Sequence, residues 1–108
     1  MSATAGSPIT VQTAATTGAG TIVAPPVNFG KHTFLLVGST GISAGKVKIE
    51  TAHASDYAGT WALLGTEQTL VASTVLAVVL TGNYPFLRAR VSTTVEGGTL
   101  TAYYHGGT

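Results

Sequence analysis

Residues 45–52 read GKVKIETA, and this stretch decides the fold class. Its side chains alternate between two faces, with Val47, Ile49 and Thr51 on one and Lys46, Lys48 and Glu50 on the other. A period of two is typical of a β-strand that buries one face and exposes the other. We therefore predict a layered β-structure in which Val47 and Ile49 are core residues.

The same alternation returns later in the chain. Leu87, Ala89 and Val91 alternate with Phe86, Arg88, Arg90 and Ser92, which predicts core positions at Leu87 and Val91. Strands are predicted at residues 9–13, 20–23, 31–39, 45–52, 60–64, 69–72, 75–80, 84–95 and 99–105, with a hairpin turn at 96–98. Frequent turn signals without a helical window indicate an all-β, single antiparallel β-sandwich or jelly-roll-like domain.

Composition narrows the class of protein further. The 108 residues fit one domain, and charged residues make up 8% of them, against about 25% in ordinary soluble domains. A net charge of +1 argues against nucleic acid as a partner. Residues 70–80 are the longest apolar run and fall well short of the roughly 20 residues that span a membrane. Cysteine is absent, which excludes disulfides, cysteine-ligated zinc and a thiol nucleophile.

Residues 1–27 differ from the rest because they carry no charged side chain. We divide the chain into an extended N-terminal arm or edge segment, residues 1–27, and a β-sandwich domain, residues 28–108. The arm either forms an edge of its own domain or docks on a partner, in which case its deletion would leave a folded domain that no longer binds. Candidate interface residues are Ile9, Val11, Ile22, Val23, Pro25 and Pro26, together with Arg88 and Arg90 of the later strand. The first five residues lack the features of a signal peptide, so we expect synthesis in the cytoplasm without secretion.

No pattern of an enzyme site emerges. The carboxylates Glu50, Asp56, Glu67 and Glu96 are scattered, the histidines His32, His53 and His105 show no metal-ligand spacing, and no nucleophile elbow is present. We expect no catalysis, no cofactor and no metal. Arg88 and Arg90 project from one strand face, where ion pairing with Glu50 or Glu67, or with acids of a neighbouring subunit, is favoured over nucleic acid.

Trp61 admits two interpretations. As the single tryptophan it is the obvious large core anchor, since one buried aromatic contributes about 150–250 Å² of buried surface. If it were exposed, Trp61 and the tyrosines could instead form a platform for sugars. The degree of burial of Trp61 separates these two interpretations.

Three further motifs follow the strand at residues 45–52 in a recognisable order. They are YAGTW at 57–61, GNYPFLRARV at 82–91 and GGTLTAYY at 97–104. A strand ending in Glu, a GTW turn, an LRARV strand and a Gly-Gly hairpin together resemble small β-sandwich virion proteins of tailed bacteriophages, which are found on heads or in tail and fibre modules. The resemblance covers residues 30–106.

The resemblance implies a structural role in the virion, no cofactor and a homo-oligomer. Size, a single domain, a low-charge surface and the N-terminal arm favour a capsid decoration, or cement, protein on the capsid surface, with the arm as the best candidate for docking. Its partners would be the major capsid protein and copies of itself, with a trimer favoured over a dimer. The alternatives are a tail, fibre or adaptor subunit of the virion and, from another class, a carbohydrate-binding β-sandwich module.

Overall fold

The structure, a computed structural model, describes residues 8–108. This part of the chain is all-β and has no helix long and apolar enough to cross a bilayer. The strands are β1 (Ile9–Ala15), β2 (Lys31–Gly38), β3 (Ala44–Ala52), β4 (Ala62–Thr69), β5 (Val75–Thr81), β6 (Phe86–Glu96) and β7 (Leu100–Gly107).

The strands form two antiparallel sheets that pack face to face. Sheet A has the order β1-β7-β2-β5, and sheet B has the order β4-β3-β6. The chain crosses between the sheets after β2, β4, β5 and β6, so most neighbours within a sheet are distant in sequence. The predicted all-β sandwich is confirmed.

The alternation of side chains determines which strand faces meet in the core. In sheet B, the inward residues of β3 and β6 include Val47, Ile49 and Leu87, which are fully buried, and Val91, which is nearly so. Phe34 and other inward residues of sheet A pack against them. Burying one such side chain stabilises a fold by about 1.5–3 kcal/mol.

The N-terminal segment is an integral part of this sandwich. β1 pairs with β7 at the edge of sheet A, and the chain then runs along β6 of sheet B. Three sets of backbone hydrogen bonds hold it there: Val91 N–H to Gly18 O at 2.9 Å, Val95 N–H to Thr16 O at 2.9 Å, and an exchanged pair between Val23 and Leu87 at 2.8 Å. Residues 8–27 therefore form an edge segment of their own domain, while residues 1–7 of the predicted arm lie outside the described residues.

Three local predictions are wrong. Residues 69–72 end β4 and enter a turn, in which Ser73 has a φ of 56°. The turn at 96–98 does not close a hairpin because β6 and β7 belong to different sheets. Residues 20–23 are reduced to a single bridge between Val23 and Leu87, since this segment passes from sheet A to sheet B.

Candidate interaction surfaces

The predicted interface residues of the N-terminal segment fall into two groups. Val11 and Val23 are 2% and 6% exposed and belong to the core between the sheets. The prediction that they contact a neighbouring subunit is wrong, because their side chains already pack against their own domain. Ile9 is half exposed on β1, and the remaining three lie at or near the surface: Ile22 and Pro25 half-buried and Pro26 exposed.

Pro25 and Pro26 line a surface hollow of about 290 Å³ at one corner of the sandwich. Its other lining residues are Val27, Asn83, Tyr84 and Pro85. Tyr84 fixes one wall because its O–H donates a hydrogen bond to Thr81 O at 2.8 Å. The hollow is shallow and largely apolar, and it holds no charged side chain, so it suits contact better than chemistry.

Glu50, Arg88, Arg90 and Trp61 form a compact group on the outer face of sheet B, which we call the Glu50 cluster. The register places Glu50 opposite Arg88 and Lys48 opposite Arg90, so both arginines lie beside the carboxylate. Arg88 Nε lies 2.9 Å from Glu50 Oε1, and Arg90 donates from Nε at 3.0 Å and from Nη2 at 2.8 Å. The predicted ion pairing of Arg88 and Arg90 with Glu50 is confirmed.

The Glu50 carboxylate is paired within the cluster. Glu50 is only 3% exposed, although it sits on an outer sheet face, because the two arginines cover it. Burial raises the pKa of Glu50, but hydrogen bonds from Arg90 and Arg88 and the charges of both groups outweigh it and hold the pKa below the ordinary 4.5. The hydrogen bond to Glu50 likewise raises the pKa of Arg90. Both arginines are therefore ion-paired within the chain, and their contact with a partner stays a prediction.

Trp61 is buried, but it lies outside the main core that fills the space between the sheets. Its exposure is 3%, and the Arg88 guanidinium carbon lies 4.1 Å from its ring centroid. The indole N–H donates to Tyr57 O at 2.9 Å. The prediction of a core anchor is right about burial and wrong about location, since Trp61 is covered by Arg88 on the outer face of sheet B. A ring covered in this way offers no platform to a sugar.

His32 and Tyr104 form a buried polar pair beneath sheet A. His32 Nε2 lies 2.9 Å from Gly82 O, which can only accept, so this nitrogen donates and Nδ1 accepts from the Tyr104 O–H at 2.6 Å. Burial raises the pKa of Tyr104 to about 12. With both ring nitrogens occupied, His32 has a structural role. Across residues 8–108, no three His, Asp or Glu side chains gather into a group that could hold a metal ion.

The outer face of sheet A carries a contiguous apolar surface that the sequence analysis missed. We call it the outer apolar face, and its residues are Leu35, Val37, Val75, Ala77, Val79 and Tyr103. They are neighbours by register, because Val37 lies opposite Val75 and Leu35 lies between Ala77 and Tyr103. Val75 is 57% exposed and Val79 is 68% exposed. The available signal was the unbroken apolar run at 75–80, which places apolar side chains on both faces of one strand.

The comparisons with known proteins identify no relative of this chain. No family model matches it, and no curated protein or solved structure matches it.

Proposed function

We propose that this chain is a non-enzymatic structural subunit of a bacteriophage virion, and specifically a capsid decoration protein. In this role it binds the outside of the head between capsomers and stabilises the shell. The observation that carries the proposal is the outer apolar face, which exposes Val75 and Val79 on a small, otherwise compact domain. Contiguous apolar patches on small monomers often mark sites of protein contact.

The chemistry of the outer apolar face suits docking on a protein surface. None of its six side chains is charged, so a partner can cover it without desolvating an ion, which is the most expensive step in forming an interface. The face is also rigid, because β2 and β5 pair along their whole length without a register shift. A rigid surface loses little conformational entropy when it binds.

The size of the face favours a protein that acts in many copies. The six residues span about 17 Å along three strands about 4.8 Å apart, which presents on the order of 200 Å². A standard stable interface buries about 800 Å² on each partner. A single contact of this size is weak, but contacts repeated around a shell add up, as multivalent attachment does.

The outer face of sheet B also fits an orientation in which sheet A faces the partner. The Glu50 cluster keeps a net charge of +1, from two arginines and one carboxylate, and a charged face costs more to desolvate than the outer apolar face, so it suits the side turned to solvent. The buried Trp61 counts against the carbohydrate-binding alternative. The tail, fibre or adaptor alternative would use the same apolar face and is separated by experiment.

The test uses heads and tails prepared separately from the phage that encodes the chain. Purified protein is sedimented with each, and saturable binding to heads alone is the expected result. Leu35→Glu places a charge at the centre of the outer apolar face and should weaken binding at least tenfold. Ala58→Glu adds the same charge at an exposed residue of the loop that joins β3 to β4 in sheet B, and it should bind normally.

Three outcomes count against the proposal. Binding to tails alone would replace the decoration role by the tail alternative. Binding to neither particle would overturn the assignment to a virion. Equal loss in Leu35→Glu and Ala58→Glu would show that the outer apolar face is not the contact. Thermal unfolding of both variants checks that they are folded at the assay temperature.

A further inference from the structure

The sandwich has four edge strands, and three of them are covered or interrupted. The free side of β1 is approached by Thr21, whose N–H donates to Val11 O at 2.9 Å. The free side of β6 is covered by the segment that contains Thr16 and Gly18. β4 is broken by a register shift beside Gly65, whose φ is 71°. Such devices are how β-proteins keep their edges from pairing with other chains.

β5 is different because it lies at the end of sheet A and, among residues 8–108, pairs only with β2. Its seven residues keep a continuous register from Val75 to Thr81. The strand reads VLAVVLT and contains no Lys, no Pro and no bulge, which are the usual features that protect an edge. Within residues 8–108, β5 is therefore the edge most open to pairing.

The hydrogen bonds at its two ends show which backbone groups of β5 face outward. Gly38 N–H donates to Thr74 O at 3.0 Å, and Gly82 N–H donates to Gly30 O at 2.9 Å. The even-numbered residues therefore direct their backbone groups to β2, and by alternation the odd-numbered ones direct theirs to the free edge. Thr81 O accepts a hydrogen bond from Tyr84. The residues whose backbone N–H and C=O are both available at the free edge are therefore Val75, Ala77 and Val79.

We propose that β5 pairs antiparallel with β5 of a second copy, around a two-fold axis at Ala77. Ala77 then lies opposite Ala77 of the second copy, and Val75 lies opposite Val79. Each pair exchanges two backbone hydrogen bonds, so every available N–H and C=O of the three residues is satisfied. The two four-stranded sheets become one continuous sheet, and their outer apolar faces merge.

A second copy is the occupant that the strand fits best, because the strand is self-complementary. Large apolar residues flank the small Ala77 symmetrically, with Leu76 and Val78 on one face and Val75 and Val79 on the other. β5 carries no charge, so pairing it with itself brings no like charges together. An isologous contact of this kind closes as a dimer. It does not extend into a fibre, because β1 at the far edge of sheet A is broken by two register shifts.

The joint is modest in area, and this sets the strength of the dimer. A seven-residue strand is about 24 Å long, and the shortest dimension of the molecule is 20 Å. The joint therefore buries on the order of 500 Å² per copy, below the roughly 800 Å² of a standard interface. We expect dissociation in the micromolar range. This inference stands on the geometry of β5 and does not depend on the virion assignment.

The primary test is the mass in solution between about 1 and 300 µM, measured by sedimentation equilibrium. The average mass should rise with concentration from the 10.9 kDa of one chain toward twice that value. Ala77→Pro removes an N–H that points to the free edge while leaving the bonds to β2 in place, so it should give a folded monomer. Ala77→Ser keeps that N–H and should still dimerise.

The register is tested by charges placed at Val75 and Val79. Val75→Lys combined with Val79→Lys sets like charges opposite each other across the joint. Val75→Lys combined with Val79→Glu sets opposite charges there. Within one chain the two positions are about 13 Å apart, so the charge effect arises mainly between copies. The first combination should dissociate about tenfold more readily than the second. Ile9→Lys, on the opposite edge strand, is the control and should dimerise normally.

Several results would overturn the proposal. A monomer at every concentration would do so, as would an oligomer that Ala77→Pro leaves intact. Equal dissociation of the two charge combinations would reject the register. Amide exchange of Val75, Ala77 and Val79 that slows only when virion particles are added would assign the edge to a strand of another protein. Because shell binding is measured separately with Leu35→Glu, failure of the dimer and failure of the virion role are distinguishable.

Discussion

Arg88 and Glu50 face each other across the β3–β6 pair, with Arg88 Nε 2.9 Å from Glu50 Oε1. Arg90 binds the same carboxylate through two further hydrogen bonds. One buried acid thus holds two arginines, and Arg88 in turn covers Trp61. Glu50 is therefore the carboxylate that pairs with both arginines on the outer face of sheet B.

Replacing Glu50 should therefore be strongly destabilising. Glu50→Gln keeps the shape of the side chain but removes the carboxylate that Arg88 and Arg90 both pair with, while both guanidinium groups stay partly buried. We expect a loss of about 3 kcal/mol in the free energy of unfolding, measured by urea denaturation at pH 7. Glu96→Gln removes an exposed carboxylate and should change stability by less than about 0.5 kcal/mol. Similar losses in the two variants would contradict the role of the Glu50 cluster.

The fall in the free energy of unfolding at acid pH should also depend on Glu50. The pKa of Glu50 is lowered in the folded protein, so the folded state holds its proton less tightly than the unfolded state. Its stabilising contribution is therefore complete above the ordinary value of 4.5 and is lost as the pH falls through the lower folded pKa. Unfolding free energies of the wild type and Glu50→Gln should converge as the pH falls below 4.5. A constant difference down to pH 2 would argue against this assignment.

Tyr104 should determine how the free energy of unfolding falls at alkaline pH. Its pKa is raised from 10.0 to about 12, so the unfolded tyrosine ionises at a lower pH than the folded one. Its contribution is complete below pH 10 and is lost between pH 10 and pH 12. Tyr104→Phe leaves His32 Nδ1 without its donor and should lose about 1–3 kcal/mol near pH 7. That difference should shrink as the pH rises toward 12, as followed by denaturant unfolding at each pH.

The sequence predicts those parts of the fold that local alternation encodes. Val47, Ile49 and Leu87 are core residues because their strands alternate strictly and bury one face. The pairing of Arg88 with Glu50 was foreseeable because the two residues carry opposite charges and both lie on the outward faces of their strands. No local pattern, however, says which strand will lie at an edge. The apolar run at 75–80 would look the same in the middle of a sheet.

Segments that are held through their backbone were the least predictable. Residues 8–27 have the composition of a flexible arm, and their place in the fold depends on backbone pairing that leaves no trace in side-chain patterns. Gln12 is a polar residue that is nevertheless buried. Its side-chain Nε2 donates to two backbone carbonyls that the sequence cannot locate, Ala89 O at 2.8 Å and Gly18 O at 3.0 Å. The location of Trp61 was mispredicted for a related reason. Trp61 precedes β4, and it lies on the outer face of sheet B because Arg88, a residue distant in sequence, covers it there.

Trp61 and Arg88 should be energetically coupled. Trp61→Ala removes a buried indole and should destabilise the domain by about 3 kcal/mol, although the lost packing lies outside the main core. In a double-mutant cycle with Arg88→Ala, the coupling energy should be about 0.5–2 kcal/mol. Trp61 is the only tryptophan, so its fluorescence reports directly on this site. Strictly additive effects would show that the contact at 4.1 Å contributes nothing to stability.

Removal of residues 1–27 should unfold the domain, contrary to the prediction that the arm is dispensable for folding. The deletion takes away β1, which pairs with β7, and with it the buried side chains of Val11 and Val23. It also uncovers the edge of β6, whose backbone groups at Val91 and Val95 lose their partners. We expect the truncated chain to lack a cooperative thermal transition by circular dichroism. Val11→Ala, which keeps the strand and removes part of one core side chain, should retain the transition and lose about 1–2 kcal/mol. A truncated chain that melts as sharply as the full chain would show that β1 adds little to the sandwich.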